Sequence, residues 1–125
     1  MHTDAIVAAI GFLGIATFQA ALAAGAPLGH AAWGGTHRRL PMSLRVGSAI
    51  AVVVWLVAAS IVLGHADFDV PSPSETVRRW AIWVVVGLLI VGTLMNAASR
   101  SSWERFLWAP VSLVLAVLTL VVALG

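Results

Sequence analysis

Four long apolar runs, separated by three polar connections, set the pattern of this chain: Ala5 to Ala24, Leu44 to Leu63, Val77 to Met95 and Phe106 to Leu124. Each is 19 or 20 residues long. About 20 helical residues, rising about 1.5 Å each, cross a hydrocarbon core of about 30 Å. Inside lipid every backbone N–H and C=O must find a partner within its own segment. The Val- and Ile-rich runs are therefore read as helices, although the same composition would favour strands in water. The pattern predicts an all-α, membrane-embedded four-helix bundle, one domain over residues 1–125.

The ends of the runs carry helix punctuation. Thr3 and Asp4 are placed to cap the first helix, and Gly25 followed by Pro27 to stop it. Ser72-Pro73-Ser74-Glu75 reads as a capping box that starts the third helix near Pro73. Ser101-Ser102-Trp103-Glu104 repeats the pattern before the fourth, which puts Pro110 inside that helix as a kink. Small residues suggest the contact faces: Ala16, Ala20 and Ala24 on the first helix, Gly47 and Ala51 on the second, Gly87 and Gly92 on the third. Ala21-Leu22-Ala23 resembles a signal-peptidase site. The residues before the run carry no basic n-region, however, so the run is read as a span.

Composition agrees with the pattern. The chain is 61% hydrophobic and 10% charged, with mean hydropathy +1.01, against about 25% charged residues in soluble domains. There is no cysteine, so thiol chemistry and disulfides are excluded. All seven basic residues are arginine, and no basic stripe points to nucleic acid. Arg38, Arg39, Arg45, Arg100 and Arg105 fall in or beside the first and third connections, and only Arg78 and Arg79 beside the second. The positive-inside rule then puts connections one and three in the cytoplasm and both termini outside, in a bacterial inner membrane. Arg78 and Arg79 follow Glu75 at helical ion-pair spacing. Trp80, Trp83, Trp103 and Trp108 fall at predicted interfaces, while Trp55 lies mid-span as a packed or lipid-facing ring.

No Asp, Glu, Lys or His occupies the interior of a run, so the usual mark of an ion-coupled pathway is missing. The candidate chemistry gathers on the predicted cytoplasmic face. Residues 29–41, GHAAWGGTHRRLP, form part of a connection of about 19 residues, long for neighbouring helices. A short interfacial helix over Leu28 to Trp33, ended by Gly34-Gly35, would hold His30, Trp33, His37, Arg38 and Arg39 near the headgroups. With Arg100 and Arg105 from the third connection, and Gln19 and Asn96 as a floor, they form the predicted pocket for an anionic headgroup or lipid-linked phosphate. Arginine suits phosphate through its bidentate fork. A solvated basic loop is the plainer reading of the same residues.

His30 with His37, or Asp67 with Asp69 and Glu75, make incomplete metal sites, so no metal or cofactor is assigned. Glu104 with His30 or His37 is the nearest approach to an acid–base pair, and no nucleophile motif accompanies it. The expectation is a non-enzymatic accessory or headgroup-binding module. Membrane lipids are its partners, alone or within a homo-oligomer or larger membrane complex. The alternative is a small transporter or channel for a neutral or anionic solute, lined by Thr17, Gln19 and Asn96.

Two stretches, APLGHAAWGG at residues 26–35 and ASRSSWERFLWAP at residues 98–110, resemble recurring motifs of an uncharacterised family of small four-span integral membrane proteins of high-GC bacteria. The resemblance implies a four-span fold and a membrane address, and assigns no residue roles. The orientation is open to direct measurement. With no native cysteine, a single His37→Cys thiol should react with a membrane-impermeant maleimide only after cells are permeabilised. Labelling of intact cells would reverse the topology.

Overall fold

The computed structural model describes residues 2–125. Four helices cross in alternating directions: α1 (His2–Ala23), α2 (Met42–His65), α3 (Glu75–Ala97) and α4 (Ala109–Leu124). A π turn, Glu104–Trp108, leads directly into α4. Among the described residues there is no strand. All four helices, with the π turn counted into the last, are long and apolar enough to cross a membrane. The chain is a multi-pass membrane protein by that measure. α1 packs chiefly on α2 and α3 on α4, and the two hairpins close along the α1–α4 and α2–α3 seams. Connections one and three meet at one end, called here the arginine-rich end.

The helix ends follow local chemistry, with some revisions to the expected caps. α1 stops at Gly25 (φ 93°), where the N–H groups of Gly25 and Ala26 reach back to the carbonyls of Leu22 and Ala21. That left-handed closure is the Schellman arrangement, which suits glycine. Asp67 (φ 66°) closes α2 by the same pair of bonds, to Gly64 and Leu63. Thr3 and Asp4 lie inside α1 rather than before it. Ser74, not Ser72, caps α3, its hydroxyl accepting from the Val77 N–H at 3.5 Å. Ser72 instead accepts from Arg78, whose guanidinium also donates to the Pro73 carbonyl. Arg79 pairs with Glu75 at 3.4 Å on an exposed face. Pro110 produces the π turn rather than a simple kink. The Ala109 N–H bonds five residues back to the Glu104 carbonyl, widening the turn where the proline ring would press on the preceding one.

The larger core lies in the half of the bundle away from the arginine-rich end. There α1 brings Ala5, Ala8 and Phe12, α2 Ala58 and Val62, α3 Ile82, Val85 and Leu89, and α4 Leu115, Ala116 and Val122 into one core. Gly11 lets α1 approach Leu115 of α4. The expected alanine stripe contributes only Ala16, since Ala20 and Ala24 are exposed. Gly87 and Gly92 meet no neighbour within 4 Å, so they do not draw α3 against another helix. In the arginine-rich half α2 and α3 mesh little. Between Met42 and Val57 only Ser48 is buried, and nothing from Ile90 to Ala97 is.

Candidate ligand-binding cavity

The first connection folds over the arginine-rich end as two 3-10 turns, Gly29–Ala31 and Trp33–Gly35, in place of the expected interfacial helix. It is cinched by a backbone bond from the Gly29 N–H to the Arg38 carbonyl at 2.8 Å. A Cβ at Gly29 would collide with the His37 carbonyl. Trp33, Gly34 and Gly35 are all left-handed, at φ 50°, 80° and 76°, which accounts for the glycine pair. Trp33 is the costly member, since a bulky residue rarely adopts positive φ. Its indole Nε1 donates to Ser48 Oγ at 3.0 Å and its ring lies against Gly47. Gly47 thus accommodates the loop rather than a neighbouring helix. Ala32 and Leu40 plug inward against Leu22, with Phe18 and Leu44 beside them.

The third connection locks this roof through Glu104. Its Oε1 accepts the Gly34 N–H at 2.9 Å and the Ser99 hydroxyl at 2.6 Å. Ser101 donates its hydroxyl to the His30 carbonyl at 2.6 Å and accepts from the Glu104 N–H at 3.4 Å. The predicted cap is therefore made, but its glutamate reaches across to the first loop instead of back to its own helix. Gly35 permits the close approach: a Cβ there would stand 2.9 Å from the His30 carbonyl and 3.0 Å from Ser101 Cβ.

Beneath the roof lies a cavity of about 700 Å³ lined by all four helices and both connections. Its walls are mainly apolar, including Phe18, Trp55, Leu88, Leu89 and Trp108. Phe12 stacks on Trp55 at 5.7 Å and 10° and closes the far end. On α2 only Leu44 and Trp55 line it, and on α3 the lining runs from Leu88 to Asn96. Eight to eleven residue steps along a helix give the hollow a length of about 12–16 Å, up to about half of a hydrocarbon core of about 30 Å. The polar residues of the lining are Gln19, Thr36, Asn96, Ser99, Arg100, Glu104 and Ser112. Gln19 Oε1 and Trp108 Nε1 are buried with no hydrogen-bond partner.

Of the sequence-predicted site residues, Gln19, Trp33, Asn96 and Arg100 line this cavity, whereas His30, His37, Arg38, Arg39 and Arg105 do not. Arg38 and Arg39 are exposed on the outside of the loop. The His37 ring meets the Thr36 hydroxyl at 3.0 Å, and the His30 ring meets the edge of Trp103. Neither ring is paired with Glu104. Arg105 holds the Ser99 and Arg100 carbonyls, and Arg45 holds the Ala23 carbonyl that ends α1. The guanidinium groups of Arg38, Arg39 and Arg100, by contrast, make no hydrogen bond or ion pair among the described residues. Thr17 is exposed, its hydroxyl turned back to the Leu13 carbonyl, so it lines no path.

Glu104, Trp108 and Trp55 are among the cavity residues missing from the sequence-based pocket. The S-x-x-E pattern explained Glu104 as a cap, and the run boundaries put Trp108 in an interfacial belt. Its ring lies 4.8 Å from Phe18 instead. Comparison with protein-family models, curated proteins and solved structures finds no match to this chain.

The lock predicts a graded mutational response. Glu104→Ala removes the acceptor shared by Gly34 and Ser99, and a hydrogen bond to a charged group contributes about 1.5–3 kcal/mol. Hydrogen exchange at the Gly34 amide should therefore quicken by about tenfold or more. Glu104→Gln, which retains an acceptor oxygen, should fall between. Equal protection in all three proteins would remove Glu104 from this role.

Proposed function

We propose that this chain is a non-enzymatic lipid-binding module of a bacterial inner membrane. Its hollow half holds one hydrocarbon chain, and its arginine-rich end receives an anionic headgroup on the cytoplasmic side. The observation that carries this reading is the leaflet-deep apolar cavity of about 700 Å³, within the range of about 300–1,000 Å³ that suits a single small occupant. The arginine asymmetry supports the cytoplasmic side, and the resemblance of residues 26–35 and 98–110 supports the bacterial membrane.

The energetics place selectivity at the mouth. A lipid tail gains little on passing from bilayer to cavity, because both are hydrocarbon. Arg100 lines the cavity and keeps its guanidinium unpartnered, so it can hold a phosphate through two donors. Arg38 and Arg39 add general attraction to an anionic surface, about 1 kcal/mol each. They strengthen binding without choosing the occupant. A transporter is the weaker alternative, because Phe12, Val62, Ile82 and Val122 are fully buried and fill the half through which a solute would have to continue.

Gly92 and Gly87 make a matched pair for the test. Both have open space where a Cβ would stand, but only Gly92 lines the cavity. Gly92→Phe should fill the hollow and lower retention of phosphatidylglycerol in native mass spectra by about tenfold, a difference of about 1.4 kcal/mol. Gly87→Phe should retain as much lipid as the parent. Equal retention by the two variants would sink the cavity as the binding site.

A further inference from the structure

The cavity has two boundaries of different strength. Towards water it is covered by residues 31–36 of the first connection, fastened by the Gly34–Glu104, Ser99–Glu104 and His30–Ser101 hydrogen bonds. The α1–α4 seam is also shut, by Gly11 against Leu115 and by Phe18 against Trp108. The α2–α3 seam differs. Its buried residues run from Ala58 to Gly64 on α2 and from Ala81 to Leu89 on α3, where the cavity wall begins. Beyond them, towards the arginine-rich end, α2 buries only Ser48, which is held by Trp33, and α3 buries nothing. Leu88 and Met95, 46% and 69% exposed, both line the cavity. They stand seven residues apart on one face of α3, so that wall of the cavity reaches the outer surface of the bundle.

We infer that the cavity is loaded sideways, through the gap between the arginine-side halves of α2 and α3. Its occupant is the hydrocarbon chain of an anionic amphiphile already resident in that leaflet. The inference rests on the lipid-binding reading and adds the route and the source of the ligand. Three observations on the same site fit this occupant. The hollow is as deep as one leaflet, the exposed edge residues are apolar, and the unpartnered Arg100 stands at the level where a headgroup would remain outside. A water-borne solute would instead have to break the hydrogen-bonded roof. An apolar chain already in the leaflet crosses the gap with no polar group to desolvate.

The absence of native cysteine permits a reversible block. Met95→Cys puts a thiol at the lateral edge, and His37→Cys puts one on the roof connection, outside the cavity lining. Each is reconstituted in vesicles and modified with benzyl methanethiosulfonate. Lysophosphatidylglycerol with a brominated chain is then added, and quenching of cavity tryptophan fluorescence is followed. The benzyl group on Met95→Cys should slow quenching about tenfold, a barrier raised by about 1.4 kcal/mol, and reductant should restore the rate. The group on His37→Cys should leave the rate unchanged. Slowing by the roof label alone, or by neither label, overturns the lateral route. If quenching in the unmodified parent is no greater than in Gly92→Phe, the cavity holds no chain, and the lipid-binding reading fails with the inference.

Discussion

In lipid, two apolar helices gain nothing from hiding their side chains, because the surrounding solvent is itself hydrocarbon. Association then depends on close contact, which needs small residues opposite shapes that fill the space. α1 meets this condition in one half of the bundle, where Ala5, Ala8 and Gly11 admit neighbours and Phe12 fills the middle. The arginine-side halves of α2 and α3 do not, with Val46, Ile50, Val53, Ile90, Val91 and Leu94 all exposed. One half of the molecule is therefore solid and the other hollow. The same physics that assembles the first leaves the second open.

What keeps the hollow half together is polar. Glu104 joins the two connections at one carboxylate oxygen, and Ser101 joins them again at the His30 carbonyl. The left-handed run from Trp33 to Gly35 exists to present the Gly34 N–H to that oxygen. Arg45 and Arg105 hold carbonyls at the same end. The arginines thus divide by work: two maintain backbone, and Arg38, Arg39 and Arg100 remain available to an anion. A headgroup arriving there meets positive charge that the fold has not already neutralised.

The architecture was legible because it rests on long-range counts. Twenty apolar residues and obligatory backbone pairing leave few options, so four spans and a bundle followed from run length. Gly25 and Pro27 marked the end of α1 for the same local reasons that operate in the structure. The contact faces were less legible. Gly87 and Gly92 look like meshing residues, but a glycine in a helix is equally compatible with a void, and only the position of the facing helix decides. The candidate pocket was half legible. Gln19, Asn96 and Arg100 were found from depth and end, because helix rise fixes both. Arg38 and Arg39 stand exposed outside the cavity lining, since the path of a loop through left-handed residues sets which way its side chains point. Glu104 was hidden by an adequate local explanation, the helix cap, that does not foresee a partner 70 residues away.

On the proposed reading, lipid fills the hollow of the arginine-side half. Trp55 stands at the deepest point of the hollow, stacked on Phe12. In bilayer nanodiscs, nuclear Overhauser contacts from the Trp55 ring should reach acyl-chain methylenes of bound phosphatidylglycerol, and Gly92→Phe should abolish them. Contacts from that ring to water alone, or to α3 side chains closed over it, would contradict the account.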